Sequence, residues 1–127
     1  MSFLIDTHVF LWFDWRSTRL RQQIRSLVAS TDQIVYLSAA SFWEIAIKRR
    51  ARKIRYEGSP RKAASDAGFV ELDIDAADAE LAGGLDWSHR DPFDRMLLAH
   101  CLNRSLTLIT ADARFRARPD IAVLWAG

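Results

Sequence analysis

The chain has 127 residues, half of them hydrophobic and 27% charged, which is the composition of a folded globular domain and not of a disordered segment. This length predicts a single domain, residues 1–127, because it provides one hydrophobic core and leaves no room for two. The single cysteine, Cys101, excludes an intramolecular disulfide and fits a reducing cytoplasm. No apolar run approaches the roughly 18 residues that span a bilayer, and no secretion signal is recognisable, so we expect a cytoplasmic protein without membrane contacts.

The positive charges are unevenly distributed, although the formal net charge is only +2. Arginine and lysine concentrate in three short segments, 16–25, 48–55 and 114–118. Each segment taken alone is most simply a solvated helix face. Three of them in so short a chain favour a polyanionic partner.

Short apolar runs alternate with helical patterns along the whole chain. The first half predicts a strand at Phe3–Ile5, a helix from a Ser17 cap to about Ala29, a strand at Ile34–Leu37, and helices at Ala39–Ala51 and Pro60–Ala67. Segment 56–60 contains a glycine and a proline, and it is predicted to be a loop.

The second half continues the same alternation. It predicts a strand at Phe69–Leu72, a helix at Ala76–Ala82 ended by Gly83 and Gly84, a helix at Pro92–Asn103 capped by Asp91, and strands at Leu106–Ile109 and Ala122–Leu124. Strands separated by helices predict an α/β fold, with a central parallel sheet flanked by helices. In such sheets, functional residues gather beyond the carboxyl ends of the strands.

Two aspartates follow predicted strands. Asp6 comes directly after the first strand, and Asp112 comes just after the strand at Leu106–Ile109. If both strands are parallel, the two carboxylates project from the same edge of the sheet. The alternative for either residue alone is a helix cap, a position that aspartate favours.

Glu44 lies within a predicted helix that is apolar on most of its surface. It shares one helical face with Ala40, Trp43 and Ile47, so we expect its carboxylate to be at least partly buried. A buried carboxylate needs a partner or a metal ion, because isolated burial is costly. The alternative is a surface ion pair with Lys48, four residues later.

Asp94 lies in the first turn of the helix that Asp91 is predicted to cap. Asp94 shares a helical face with the apolar residues Leu97, Leu98 and Cys101, so it extends the core-facing side of the helix towards the edge of the sheet. A cap at Asp91 makes a capping role for Asp94 redundant, although an acidic group there also suits the helix dipole. This favours a functional role for Asp94.

Four carboxylates from separate parts of the chain would repel one another without a cation. Sites rich in carboxylate oxygen suit the hard ions Mg²⁺ and Mn²⁺. Such an ion activates water and stabilises the charge that develops when a phosphodiester is cut. The sequence therefore predicts a metal site formed by Asp6, Glu44, Asp94 and Asp112.

Four segments of the chain resemble the acidic motifs of the PIN-domain family. They occur in the family's order across essentially the whole chain, and they are DTH at 6–8, SFWEIAIK at 41–48, HRDPFDRML at 89–97 and TAD at 110–112. The residues that flank them are most similar to those of VapC-type toxins, which belong to toxin–antitoxin pairs.

The resemblance implies a PIN-like three-layer fold and a Mg²⁺- or Mn²⁺-dependent endoribonuclease. It implies that the four acids hold the metal ion, that Thr7 and Thr110 orient carboxylates or water, and that Asp91 is a cap, an outer ligand or both. It also implies an RNA substrate, a homodimer and a cognate antitoxin. No individual residue is assigned to RNA binding.

Aromatic and histidine residues complete the set of candidates. Most of the five tryptophans are expected in the core. The short helix containing residues 9–13 is apolar on every side, and we hypothesise that part of it is exposed and contributes to a dimer or antitoxin groove. Near the site, His8 and His89 are expected to pack or to hydrogen bond to other site residues, and contact with RNA is the alternative.

Two other classes of function are compatible with a fold of this kind. A phosphatase or phosphotransfer domain with an aspartyl nucleophile would place a second acid two residues after Asp6, where the chain has His8. A non-catalytic RNA-binding or regulatory module on the same fold is the remaining alternative. Four central acids argue against it, because RNA binding alone gains nothing from negative charge at its centre.

Overall fold

Strands and helices alternate along the chain in the computed structural model, which describes residues 2–127. In chain order the elements are β1 (Ser2–Ile5), α1 (Thr7–Asp14), α2 (Gln22–Ala29), β2 (Ile34–Ser38), α3 (Ala39–Arg50), α4 (Pro60–Asp66), β3 (Val70–Leu72), α5 (Ala76–Gly84), α6 (Pro92–Arg104), β4 (Thr107–Thr110), a 3₁₀ helix (Ala113–Ala117) and β5 (Val123–Trp125). Among the described residues, no helix combines the length and the apolar character needed to cross a bilayer.

The five strands form one parallel sheet in the order β3-β2-β1-β4-β5. The order reverses at β1, which lies in the middle of the sheet and pairs with β2 on one side and β4 on the other. The segment that follows β1 and the segment that follows β4 cross to opposite faces of the sheet. A crevice therefore opens between the carboxyl ends of these two strands. Asp6 and Asp112 follow these two strands, and the predicted α/β class with a central parallel sheet is confirmed.

Helices cover both faces of the sheet and give it two apolar cores. Alternate residues of β1 point to opposite faces, so Phe3 and Ile5 pack in one core and Leu4 packs in the other. The first core contains residues of α1 to α4, and the second contains residues of α6 and the 3₁₀ helix. Cys101 is buried in the second core, as expected, and this burial raises the pKa of its thiol to about 12.

Two predicted helix boundaries were wrong. Ser17 does not begin a helix, because segment 15–21 is a loop whose Arg21 N–H donates to the Ala126 carbonyl, and α2 begins only at Gln22. The glycines Gly83 and Gly84 form the last turn of α5, so that helix ends two residues later than predicted. At Ser17, a contact with a distant part of the chain overrides the local signal.

Segment 9–13 is exposed only in part, because Trp12 and Phe13 are partly buried and the other three residues are buried; its contribution to a dimer or antitoxin groove stays a prediction. Val9, Phe10 and Leu11 are between 0% and 3% exposed and belong to the first core. Phe10 packs against the rings of Tyr56 and Phe69. The all-round apolar character of this helix is explained by burial within the chain itself, because neighbouring elements enclose it on several sides.

The expectation that most tryptophans are core residues holds for three of the five, because Trp12, Trp87 and Trp125 are partly buried against the two cores. Trp15 and Trp43 are 47% and 59% exposed, and the other three are partly buried. Trp43 lies on α3 beside the exposed side chain of Ile47. The outer face of α3 is therefore apolar and accessible.

A buried polar cluster joins α5 and α6 to the end of β2. The side chains of Ser38, Asp78 and His100 are fully buried, and His100 lies 2.7 Å from the Ser38 hydroxyl through Nε2 and 3.3 Å from Asp78 through Nδ1. Arg104 and Asn103 donate to Asp78 at 2.7 and 2.9 Å. Burial alone would raise the pKa of Asp78, but these hydrogen bonds outweigh it and hold that pKa well below its usual range.

Candidate active site

Asp6 and Asp112 meet at the crevice between β1 and β4. Asp6 is 5% exposed, and its carboxylate accepts the Val9 N–H at 2.8 Å, so it also caps α1. The Thr110 hydroxyl donates to the other carboxylate oxygen of Asp6 and accepts the N–H of Asp112 at 3.0 Å. A single threonine thus fixes both acidic residues, and a small cavity of about 140 Å³ opens between them, beside the exposed His8.

Glu44 reaches the same region from the middle of α3. It is 6% exposed, as expected from its helical face, and it accepts the Thr7 hydroxyl at 2.7 Å. Ser41 is buried and its hydroxyl lies 2.9 Å from that of Thr7. The ion pair with Lys48 is present as well, at 2.5 Å. The burial and the ion pair, which the sequence presents as alternatives, therefore coexist.

At the start of α6, Asp91 caps the helix and Asp94 faces the acidic site. Asp91 is the cap, since its carboxylate accepts the N–H groups of Phe93 and Asp94 at 2.8 and 3.2 Å. The side chain of Asp94 is left to point at the site, where its Oδ2 lies 2.6 Å from Nε2 of His89. The predicted cap at Asp91 is confirmed.

The site favours a cation electrostatically. Burial raises the pKa of Asp6 to about 6 in spite of its hydrogen bonds, and the nearby charges of Asp112 and Glu44 add to the rise. Burial likewise raises the pKa of Asp94 to about 6, opposed by the hydrogen bond with His89 and assisted by the charges of Asp91 and Asp112. Two carboxylates are thus destabilised as anions at neutral pH, and a bound cation would relieve both.

The four predicted acids do not form a single tight cluster. Among residues 2–127, the group of side chains close enough to share one ion consists of His89, Asp94 and Asp112, whose ligand atoms lie within 4.8 Å of one another. Asp6 and Glu44 flank this group and interact electrostatically with each other, and Asp6 also with Asp112. The donor set, carboxylates with one imidazole, fits a divalent metal ion.

His89 is the residue that sequence reasoning undervalued. Packing or hydrogen bonding was expected of it, and the structure shows both, but it also shows His89 among the possible ligands. Its place in segment 89–97, two residues before the cap Asp91 and five before Asp94, was the available signal.

The parallel sheet, its order and the acidic crevice define an α/β protein with a candidate metal site at a topological switch point. A family model for the PIN domain matches residues 3–121, and the chain belongs to the PIN-domain family. None of the curated proteins matches the sequence significantly.

Solved structures of toxin–antitoxin complexes share the fold. A chain of VapBC2 from Rickettsia felis, bound to a DNA fragment from its promoter, is 14% identical with a TM-score of 0.72, and the match covers 100% of both chains. A chain of DNA-bound VapBC from Salmonella typhimurium is 19% identical with a TM-score of 0.67, covering 98% of each chain. A toxin–antitoxin complex from Klebsiella pneumoniae gives 18% identity and a TM-score of 0.67, covering 96% of this chain and 95% of the other.

Proposed function

We propose that the chain is a Mg²⁺- or Mn²⁺-dependent endoribonuclease, the toxin of a type II toxin–antitoxin pair, with residues 1–127 forming one PIN domain. The observation that carries this proposal is the geometry of the acidic crevice: the carboxylate of Asp6 is 5% exposed, and beside it the carboxylates of Asp94 and Asp112 have oxygens within 4.8 Å of each other. Asp6 has no ion-pair partner among residues 2–127. Burying such a group is costly unless something offsets the cost, and metal binding does so.

The side chains of the site have distinct roles in this proposal. Asp94 and Asp112 hold the metal ion, and the nearby carboxylates of Asp6 and Glu44 add negative charge around it. Thr110 fixes the orientation of Asp6, and Thr7 fixes that of Glu44, each through a hydrogen bond to the carboxylate. When bound, the ion would activate a water molecule and stabilise the charge that develops on the phosphate.

Arginines at the same edge of the sheet supply a surface for the RNA backbone. Arg114 and Arg116 lie on the 3₁₀ helix that follows Asp112, and Arg116 stacks on Trp125 with its guanidinium carbon 4.5 Å from the ring centre. Arg16 and Arg21 line a cleft of about 740 Å³ in the loop that docks beside the end of β5. A positive rim around an acidic centre binds phosphates while the centre does the chemistry.

Cleavage of a mixed cellular RNA pool by the purified protein tests the proposed activity. We expect cutting with Mg²⁺ or Mn²⁺, none in EDTA, and loss of cutting in Asp94→Asn and Asp112→Asn. Asp66→Asn is the matched control, because it removes the same charge from an exposed helix pair away from the site. RNA that is bound but left intact by the wild type would favour the non-catalytic binding module.

The proposed RNA surface predicts a selective loss of affinity. We expect the double variant Arg16→Gln–Arg21→Gln to bind a single-stranded RNA more weakly in EDTA. The slope of the logarithm of the binding constant against the logarithm of the salt concentration should become shallower by about 0.7 for each phosphate that the protein no longer neutralises. The control Arg61→Gln–Lys62→Gln removes the same charge from exposed ion pairs on α4. Equal salt slopes in the variant and the control would show that the RNA does not bind at Arg16 and Arg21.

Homodimerisation and antitoxin binding belong to the same proposal. An apolar groove of about 360 Å³ is lined by residues of α3, α5 and α6, among them Trp43, Phe93 and Met96. Exposed apolar surface of this kind typically marks an assembly interface. We expect the wild type to sediment as a dimer and Trp43→Ser to shift it towards monomer; a monomeric wild type would contradict the dimer.

A further inference from the structure

The loop between α5 and α6 is held rigid by one arginine. The guanidinium of Arg95, in the first turns of α6, donates to the carbonyls of Ala82, Leu85, Trp87 and His89 at distances of 2.7 to 3.1 Å. Charge-assisted hydrogen bonds of this kind are among the stronger ones in proteins. The loop therefore has a fixed position relative to Asp94, which lies on the same helix one residue before Arg95.

This loop presents the imidazole of His89 to the acidic site. The ring packs edge-on against Trp87, with ring centres 4.9 Å apart, and Trp87 in turn packs against Phe115 of the 3₁₀ helix that follows Asp112. The side chain of His89 is only 12% exposed, and its Nε2 lies 2.6 Å from Asp94 Oδ2. Backbone and ring are thus both immobilised, which is the arrangement that a metal ligand requires.

Resting on the proposed function, we infer that His89 is a direct ligand of the metal ion, together with Asp94 and Asp112. The ligand atoms of these three residues lie within 4.8 Å of one another. An imidazole beside two carboxylates shifts the preference of the site away from Mg²⁺, which favours oxygen alone, and towards first-row transition ions. The site therefore selects an ion such as Mn²⁺ over Mg²⁺.

Pulsed electron paramagnetic resonance of the Mn²⁺-loaded full chain tests this assignment directly. We expect the ¹⁴N coupling of a coordinated imidazole in the wild type, and its replacement by ¹⁵N coupling when the protein contains ¹⁵N-labelled histidine. His8→Gln, which changes the exposed histidine at the neighbouring cavity, keeps the coupling, and His89→Gln loses it. The wild-type measurement does not depend on whether a variant folds.

Metal affinity gives a second readout. We expect His89→Gln to weaken Mn²⁺ binding by about 10-fold or more while Mg²⁺ affinity changes by less than about threefold, because an oxygen-preferring ion gains little from the imidazole. Bound Mn²⁺ without nitrogen coupling would overturn the inference and reduce His89 to orienting Asp94, while metal-dependent cleavage would still stand. Absence of both Mn²⁺ binding and cleavage would overturn the inference and the proposed function together.

Discussion

Replacing Asp6 with asparagine is expected to lower metal-dependent RNA cleavage by about 10³-fold, since the loss of several kcal/mol of charge stabilisation costs about tenfold in rate per 1.4 kcal/mol. The substitution preserves the local structure, because the amide accepts the Val9 N–H and donates to the Thr110 hydroxyl in place of the carboxylate. Single-turnover cleavage with saturating Mn²⁺ measures the effect.

The same substitution is expected to stabilise the metal-free protein at neutral pH. The folded-state pKa of Asp6 is about 6, above the ordinary value of 3.8, so the folded protein binds this proton more tightly than the unfolded chain does. The contribution of Asp6 to the free energy of unfolding therefore falls as the pH rises from about 4 to about 6, by about 3 kcal/mol for a shift of two pKa units. Asparagine does not titrate and escapes this loss.

Urea unfolding in EDTA at pH 4.5 and pH 7.5 measures how much stability the ionisation of Asp6 costs. We expect the stability advantage of Asp6→Asn to grow from about 1 kcal/mol at the lower pH to about 3 kcal/mol at the higher pH. Adding Mn²⁺ at pH 7.5 stabilises the wild type more than the variant, because only the wild type has the complete site. A difference in stability between the two proteins that stays constant with pH would show that folding does not raise the pKa of Asp6.

Replacing Asp78 with alanine is expected to lower the free energy of unfolding by about 2–3 kcal/mol, because it leaves Nδ1 of the fully buried His100 without its acidic partner and removes the hydrogen bonds to Arg104 and Asn103. Asp78 is fully buried and accepts hydrogen bonds from Arg104 and Asn103, and its carboxylate also forms half of the capping box at the start of α5. That loss is a large share of the roughly 5–15 kcal/mol that stabilises a typical domain.

The matched comparison is Asp66→Ala, which breaks an exposed pair with Lys62. Exposed pairs contribute about 1 kcal/mol or less, so this variant should unfold close to wild type in urea. Adding Arg104→Met to Asp78→Ala should recover part of the lost stability, because an apolar side chain replaces a partly buried guanidinium that keeps only the exposed Asp75 as a partner. If Asp78→Ala were as mild as Asp66→Ala, the cluster would not contribute to the stability of the fold.

The elements that sequence reasoning predicted well are those whose signals are local. Asp91 was identified as the cap of α6 because an acidic side chain followed by proline is a strong start signal, and its carboxylate does accept the first N–H groups of the helix. The burial of Glu44 followed from helical spacing alone. Parallel strands were expected from their separation by helices, which also placed Asp6 and Asp112 at one edge.

The features that sequence reasoning missed depend on interactions between distant residues. The end of α5 extends through Gly83 and Gly84 where the side chain of Arg95 binds the Ala82 and Leu85 carbonyls. Ser17 fails to start a helix because its loop docks onto Ala126, more than a hundred residues later. No local pattern encodes such partners.

Helix α1 shows a further limit of prediction from sequence. A helix that is apolar all round predicts equally well a buried helix and a helix that a partner covers. Val9, Phe10 and Leu11 are buried by the chain itself, whereas Trp43 and Ile47 on α3 are among the large apolar side chains that stay exposed. Composition gives the amount of apolar surface, but only the packing shows which side chains the fold leaves uncovered.

The central position of β1 links the timing of folding to the completion of the site. β1 is the first strand of the chain, and its neighbour β4 is the fourth, so Asp6 meets its hydrogen-bond partner Thr110 across 104 positions of sequence. A nascent chain that ends before β4 contains Asp6, Glu44 and Asp94 but neither Thr110 nor Asp112. Such long-range closures form late, because the loop entropy must be overcome first. The nascent chain therefore carries an incomplete acidic site until Thr110 and Asp112 have been added and have met Asp6.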